Sequence, residues 1–440
     1  MNAARVVALV VVLVLASTLL VGLAASHEAA GAAAEPDAYP GHTLIGVQAV
    51  GWFGNNNGYA AVVAPNGSVV WRWSVPNSRV FDVEHLPNGN VLASVAVVVP
   101  NADCPQRYQD RTNREACVHN RVVEIDYETK TIVWEYDWYD AFPTHHEVHD
   151  ADRLSTGETA IIDMGNDRAF TVNEAGEVTW RWNATDHIAQ GTPWFEEHVP
   201  GDKAEAFTRS GSESDWTHMN DIDRLSNGHF TLSIRNFDVV LEVDRSGTIV
   251  ETYGTPDDHT QMNEQHNPNL LEEAGTLLVA DSENDRIVEL DAETGKVVWT
   301  YERVPASSGV EPATLRWPRD ADRLPNGNTL ITDSRRFRVL EVTPNGSVAW
   351  SFDSRAELGR RAIIYEADRI RLTGEHLPEE PDVAQSGGTL TSRTGGPLVD
   401  AYATLDSWLS FILPAWMGPL GLVVALGDVT AALLLARELR

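Results

Sequence analysis

Three histidines, two arginines, two asparagines and a tyrosine fall at one place in a repeating pattern: His149, His218, His266, Arg235, Arg319, Asn220, Asn236 and Tyr365. Together these side chains suit the binding and transfer of an anionic group. A neutral imidazole can attack as a nucleophile, and a protonated one can act as a general acid. A guanidinium offers a planar fork of donors to oxyanions. Three imidazoles could also hold zinc or copper, so a metal or quinone enzyme is a third reading of the set. A single histidine in such a place is commonly a hydrogen-bonded structural group, whereas three converging ones point to a functional site.

The repeat explains why these residues converge. Residues 150–182, 221–253, 267–301 and 320–352 are variants of one unit, and a fifth begins at Asp82 and ends at Tyr136 around an insertion. Each unit has two turn signals. The first turns carry Gly89, Gly157, Gly228, Gly275 and Gly327, and the second carry Gly67, Lys130, Gly176, Gly247, Gly295 and Gly346. Such residues supply the positive φ that tight hairpins need. β-Branched runs flank the turns, and Trp71, Trp134, Trp180, Trp299 and Trp350 close the units as packing residues. Each unit is thus four short antiparallel strands, a propeller blade. Residues 59–73 supply an outer half-blade, and residues 365–377, with Gly374 as turn, the matching inner half. Five units plus this composite predict an all-β, six-bladed β-propeller whose termini close the ring and remove two exposed edges.

Counting back eight residues from each first-turn glycine locates the start of the inner strand at one rim of the channel. Those positions are Phe81, His149, Asn220, His266, Arg319 and Tyr365, with one extra turn residue allowed for His266 and Tyr365. His218 lies two places before Asn220 and faces the same way. Arg235 and Asn236 follow a second strand back to that rim. The insertion 183–214, with His187, Trp194, Phe195 and His198, emerges there and could form a lid or an irregular loop. The recurring DADRL-type segments read as repeat structure without a catalytic role.

The chain of 440 residues carries a formal charge of −31. That excludes nucleic acid as a partner, because phosphate binding needs a basic surface. Acid spread along the folded part suggests a surface adapted to high salt. Val6 to Ala25 are apolar apart from Ser17 and Thr18, long enough for a span and ending in a motif like a cleavage site. A second apolar stretch, Trp408–Leu426, contains Pro414 and Pro419. Arg5 before the first, and Arg437 and Arg440 after the second, fit cytoplasmic ends with the propeller outside the cell membrane. The expected organisation is a signal anchor at 1–26, the propeller at 42–377, a linker at 378–404 and a transmembrane segment at 405–436. Cys104 and Cys117 sit in one polar insertion and would form a disulfide in an oxidising compartment.

Three rim segments carry a family resemblance. DWTHMN (215–220), LSIRN (232–236) and EQHNPNLL (264–271) resemble the arylsulfotransferase family of PAPS-independent enzymes, and HEVHDADRL (146–154) is similar to that family's upstream His-Asp segment. The resemblance covers roughly residues 42–377 and implies transfer of a sulfuryl group from an aryl sulfate ester to a phenol through a sulfohistidine, without cofactor or metal. It further implies His266 as nucleophile, His218, Asn220 and Arg235 as holders of the sulfuryl oxygens, and His149 as the remaining channel histidine. Asn236, Arg319 and Tyr365 would complete the substrate site. The chain departs from the family in reading Asn-Asp after DWTHM, and in lacking a large N-terminal β-domain. A binding propeller without turnover, taking an anionic or aromatic ligand or a partner protein, is the competing function class.

Overall fold

Hairpin turns set the blade pattern, and the backbone follows them. Gly89 and Gly346 adopt φ of 87° and 82°, and Lys130, where other blades have glycine, still turns left-handed at 58°. The computed structural model describes residues 3–25, 37–50, 57–109, 115–211, 214–304, 314–354, 362–372 and 419–439. The chain divides into two units, Gly31–Ser392 and the two ends Met1–Ala30 with Arg393–Arg440.

The larger unit contains six four-stranded sheets, the blades of a propeller. Their inner strands are Ser78–His85, Val148–Arg153, Met219–Arg224, His266–Leu271, Asp320–Arg323 and Ala362–Ile370. The closing blade differs from the expected half-and-half composite. Its order is Ala362–Ile370, His42–Val50, Tyr59–Val63, Val69–Trp73, so the C-terminal side gives one strand and the N-terminal side three. The strand His42–Val50 pairs on both edges and occupies the place assigned to a C-terminal hairpin. Gly374, the expected turn, lies outside the described residues. At this seam a Cβ on Gly46 would stand 1.9 Å from the Phe81 carbonyl oxygen, so the backbones meet where only glycine fits.

The repeat residues join each blade to the next. Ala151, Ile222, Ala367 and Val83 donate their backbone N–H groups to Asp82, Asp150, Asp320 and Glu366 of the neighbouring inner strand. In three of the DADR-type segments the arginine, Arg153, Arg323 or Arg369, reaches back to the preceding blade. Arg323 pairs with Glu289 at 2.6 Å and lies over Trp299, and Arg369 pairs with Glu341 at 2.8 Å and lies over Trp350. These ion pairs are buried, and each joins a guanidinium directly to a carboxylate oxygen, which offsets part of the cost of burying the two charges. The structural reading of DADRL therefore holds.

Cys104 and Cys117 form the expected disulfide. The insertion 183–214 is no lid. Its helices Ala184–His187 and Pro193–His198 bury Trp194 and Phe195 in a hydrophobic core shared with two blades. Trp194 also donates to Thr252 at 3.0 Å, His187 stacks on Trp182, and His198 stacks on Trp194. An aromatic-rich insertion lowers its free energy by burying those rings against blade edges rather than by covering an open channel.

In the smaller unit, helices Ala3–Ala25 and Pro419–Leu439 pack together, and Ser17 Oγ donates to Asp428 at 3.0 Å. Among the described residues no helix is long and apolar enough to cross a membrane. Side chains are described only for Val6 and residues 9–19 of the first helix and for 421–437 of the second. The linker expected at 378–404 lies outside the described residues.

Candidate active site at the histidine rim

A local irregularity places the chemistry. In several inner strands the register shifts near the channel start, at Val80/Val83, Val148/Ala151, Met219/Asp221 and His266/Asn269. Such a bulge re-aims side chains, so two consecutive residues can both face the channel. One set is the predicted ring of Phe81, His149, Asn220, His266, Arg319 and Tyr365, each at most 5 % exposed. Phe81 lies 4.4 Å from His149 and 5.2 Å from Tyr365, ring centre to ring centre. Tyr365 is 5.5 Å from His149 and 5.9 Å from His266, and the Arg319 guanidinium sits 4.9 Å over it. His218 joins them 5.6 Å from His149. The counting rule therefore brings together the residues it selected.

His266 has a defined tautomer. Its Nδ1 lies 2.8 Å from Ser282 Oγ, and Ser282 donates its one hydroxyl proton to Pro318 O at 2.6 Å. Ser282 must then accept from His266 Nδ1–H, which leaves the lone pair on Nε2. Burial, then the charges of Arg319 and Arg235, hold this imidazole well below its ordinary pKa, so it is neutral. His149 is likewise held well below by burial and by His218, and its Nδ1 lies 3.3 Å from Glu147 O.

His218 belongs to a carboxylate pair. Its Nδ1 lies 2.8 Å from Asp215, and His145 Nδ1 lies 3.0 Å from the same carboxylate. Burial, then the Arg235 charge, lowers the His218 imidazole to about 4. Burial alone would raise the Asp215 carboxyl, but hydrogen bonds from His145 and His218 outweigh it and hold it below its usual range. The half-exposed His145 is raised by its bond to Asp215. His145, Asp215 and His218 are close enough to share a metal ion.

Two guanidinium groups face the imidazoles with different freedom. Arg235 spends part of its fork, pairing with Glu264 and donating to Asn236 at 2.8 Å. Arg319 donates to Gln48 and lies 3.9 Å over Trp317, and no carboxylate among the described residues pairs with it. Burial lowers it to about 9, so it stays cationic at neutral pH. A buried cation without a counter-charge is costly, and an incoming anion removes that cost. Tyr365 Oη is buried without a partner among the described residues, and burial raises its phenol well above the ordinary value, so it remains a donor.

The asparagines bond within the protein, although Asn220 Oδ1 has no partner among the described residues. Asn236 donates to Asp215 O at 2.8 Å and accepts from Arg235, so it fixes both rather than meeting a ligand. Asn220 donates to Gln265 O at 2.8 Å and holds the residue before His266. Asp215, His145, Ser282 and Trp317 were not singled out from the sequence. Asp215 stands inside the quoted DWTHMN segment, and Ser282 follows a second strand just as Arg235 does, so the same rule applied to every blade finds it. His218, Glu264 and Trp317, each two residues before a ring position, have φ of 46°, 50° and 48°. Left-handed backbone at bulky residues is strained and concentrates at functional sites.

Residues 67–274 match the family model described as Arylsulfotransferase (ASST). Residues 238–372 match a second model, described as Outer membrane protein assembly factor BamB. No curated protein matches the chain. Among solved structures, a protein of unknown function from Bacteroides caccae is 16% identical, with 75% of this chain and 98% of that chain covered at a TM-score of 0.47. A periplasmic gluconolactonase from Pseudomonas aeruginosa is 13% identical, with 73% and 82% covered at 0.41. Virginiamycin B lyase from Staphylococcus aureus is also 13% identical, with 62% and 69% covered at 0.35. With TM-scores under 0.5, these likenesses support no inference about this chain.

Proposed function

We propose, on the premise that residues 67–274 carry the arylsulfotransferase pattern, that this propeller moves a sulfuryl group from an aryl sulfate ester to a phenol through a sulfohistidine at His266. The observation that carries the reading is the His266–Ser282–Pro318 relay, which leaves a neutral Nε2 lone pair near the Arg319 cation, with which no described carboxylate pairs.

The donor's sulfuryl oxygens meet Arg319, the unspent part of the Arg235 fork and the Tyr365 hydroxyl. His266 Nε2 attacks sulfur, an N–S bond forms, and the S–O bond to the aryl group breaks. The leaving phenolate takes a proton from His218. With the site empty His218 is neutral, and the negative charge of a bound sulfate ester favours its protonation. In the second half His218 accepts the acceptor phenol's proton, the phenolate attacks sulfur, and the N–S bond breaks. Positioning and electrostatics carry most of such a transfer, as they do for phosphoryl groups. The ester brings its own sulfuryl group, so the reaction needs no nucleotide.

Arg5, Arg437 and Arg440 beside the two terminal apolar stretches, together with the Cys104–Cys117 disulfide, support a membrane tether with the propeller on the extracytoplasmic side. Protease added to intact cells then digests the propeller, and protection until lysis contradicts that placement. For the chemistry, protein quenched after addition of a chromogenic aryl sulfate gains the mass of one SO₃ on the peptide containing His266. Full turnover by His266→Ala, or sulfation of another residue, overturns it.

A further inference from the structure

Beyond the ring of histidines, toward the glycine-turn rim, the channel opens into a cavity of about 540 Å³ lined by ten carboxylates and two arginines. Its first tier is Asp82, Asp150, Asp221, Asn267, Asp320 and Glu366, the residues that directly follow the ring positions. Most of this acidity is accounted for within the fold. Asp82, Asp150, Asp320 and Glu366 each accept a backbone N–H from the next blade, and Asp82 and Glu366 also hydrogen-bond each other. Asn267 bonds Asp320.

Asp221 is the exception, and the sequence supplies the reason. Where Asp82, Asp150, Asp320 and Glu366 accept, the donor is the residue after the tier position of the next strand. For Asp221 that residue is Pro268, which has no N–H. Asp221 is 7 % exposed, and its Oδ2 is buried with no partner among the described residues. An unpartnered buried carboxylate is among the more costly features a fold can retain, unless something binds it. Asp223, two residues further along the same strand, lines the same cavity.

We propose that this part of the channel binds a hydrated divalent cation, with the Asp221 carboxylate as its anchoring ligand. The donors are oxygens alone, with no imidazole or thiolate, which selects hard cations such as Mg²⁺ or Ca²⁺ over zinc or copper. Among the described residues no three carboxylates of the cavity bring ligand oxygens within 4.8 Å of one another. The ion is therefore held through its water as well as by direct ligation, and the cavity has room for a hydration shell. Mg²⁺ in particular keeps several waters at protein sites. The ion stands apart from the sulfuryl site and takes no part in the transfer step.

The full chain, treated with EDTA and exchanged into a fixed high concentration of KCl, is titrated calorimetrically with MgCl₂ and with CaCl₂. The expected result is saturable binding of one equivalent of at least one of them, with a rise in Tm. Asp221→Asn keeps the side chain's shape, and it should bind at least tenfold more weakly while melting higher than wild type in EDTA. Asp223→Asn serves as a second variant, with weakened binding expected, should Asp221→Asn fail to fold. Absence of saturable binding above the KCl background overturns the proposal. So does binding unchanged in Asp221→Asn, or binding lost instead in His145→Ala.

Discussion

Ser282 Oγ stands 2.8 Å from His266 Nδ1 and spends its own proton on Pro318 O. The serine thus acts as a positioning residue that fixes which imidazole nitrogen keeps the lone pair. Ser282→Ala removes that bias without touching the sulfur. One neutral hydrogen bond is worth about 1 kcal/mol, so kcat for a good aryl sulfate donor should fall about fivefold to tenfold, with KM little changed. Ser282→Thr, which retains the hydroxyl, should recover most of the loss. Equal kcat in Ser282→Ala and wild type contradicts the role.

Arg319 predicts opposite effects on substrate and on stability. Replacing it with Gln removes a charge-assisted contact worth about 1.5–3 kcal/mol, so kcat/KM should fall about 10- to 100-fold. The same change removes a buried cation that no described carboxylate pairs with directly, so the empty protein should melt at a higher temperature. Lower kcat/KM together with lower Tm would mean that Arg319 is structural.

Asp215 orients His218 and favours its cationic form. Asp215→Asn keeps the acceptor oxygen but loses the charge. If His218 protonates the leaving phenolate, poor leaving groups should suffer more than good ones, by up to the ~10²–10⁴ that general acid catalysis contributes. A plot of log kcat against leaving-group pKa should steepen. A uniform loss across the series would assign His218 to sulfuryl binding.

The ring of Phe81, His149, Asn220, His266, Arg319 and Tyr365 was legible because turn glycines are local signals and inner-strand length is nearly constant. The closing blade was half legible. His42–Val50 pairs with a strand some three hundred positions away, and no local pattern distinguishes that partner from a C-terminal hairpin. The insertion's packing was equally hidden, since Trp194 finds Thr252 only across blades. The bulges were invisible for another reason. Period-2 alternation puts Asp82 and Phe81 on opposite faces, and only the register shift turns both to the channel. The hydrogen bonds taken by Asn220 and Asn236 likewise depend on backbone carbonyls that residue types do not announce.

Gly46 tests the seam. A Cβ there would stand 1.9 Å from the Phe81 carbonyl oxygen, a backbone atom that cannot swing aside. Gly46→Val should destabilise the propeller by about 3 kcal/mol or more, as overpacking and backbone displacement do. Gly89→Ala, at φ 87° with open space around it, carries only conformational strain and should cost about 1 kcal/mol. Chemical denaturation of both variants against wild type measures the difference. Equal losses would mean that the closing blade does not press on its neighbour.

The pH profile follows from the burial of His266. Its ordinary value is 6.5, and burial with two nearby guanidinium groups lowers it well below that. The neutral form attacks, so activity is lost as pH falls through the folded value rather than through 6.5. The acid limb of kcat/KM, measured with a donor whose leaving group needs no proton, should therefore lie below 6.5. Stability carries the same sign for this group. The unfolded chain binds the proton more tightly, so below 6.5 protonation favours unfolding, and the contribution of His266 to stability is lost as pH falls toward its folded value. His266→Gln cannot take up that proton. Its Tm should therefore fall less than that of wild type between pH 7 and pH 5, and its larger fall, or an acid limb at or above 6.5, would show that His266 is not held neutral by burial.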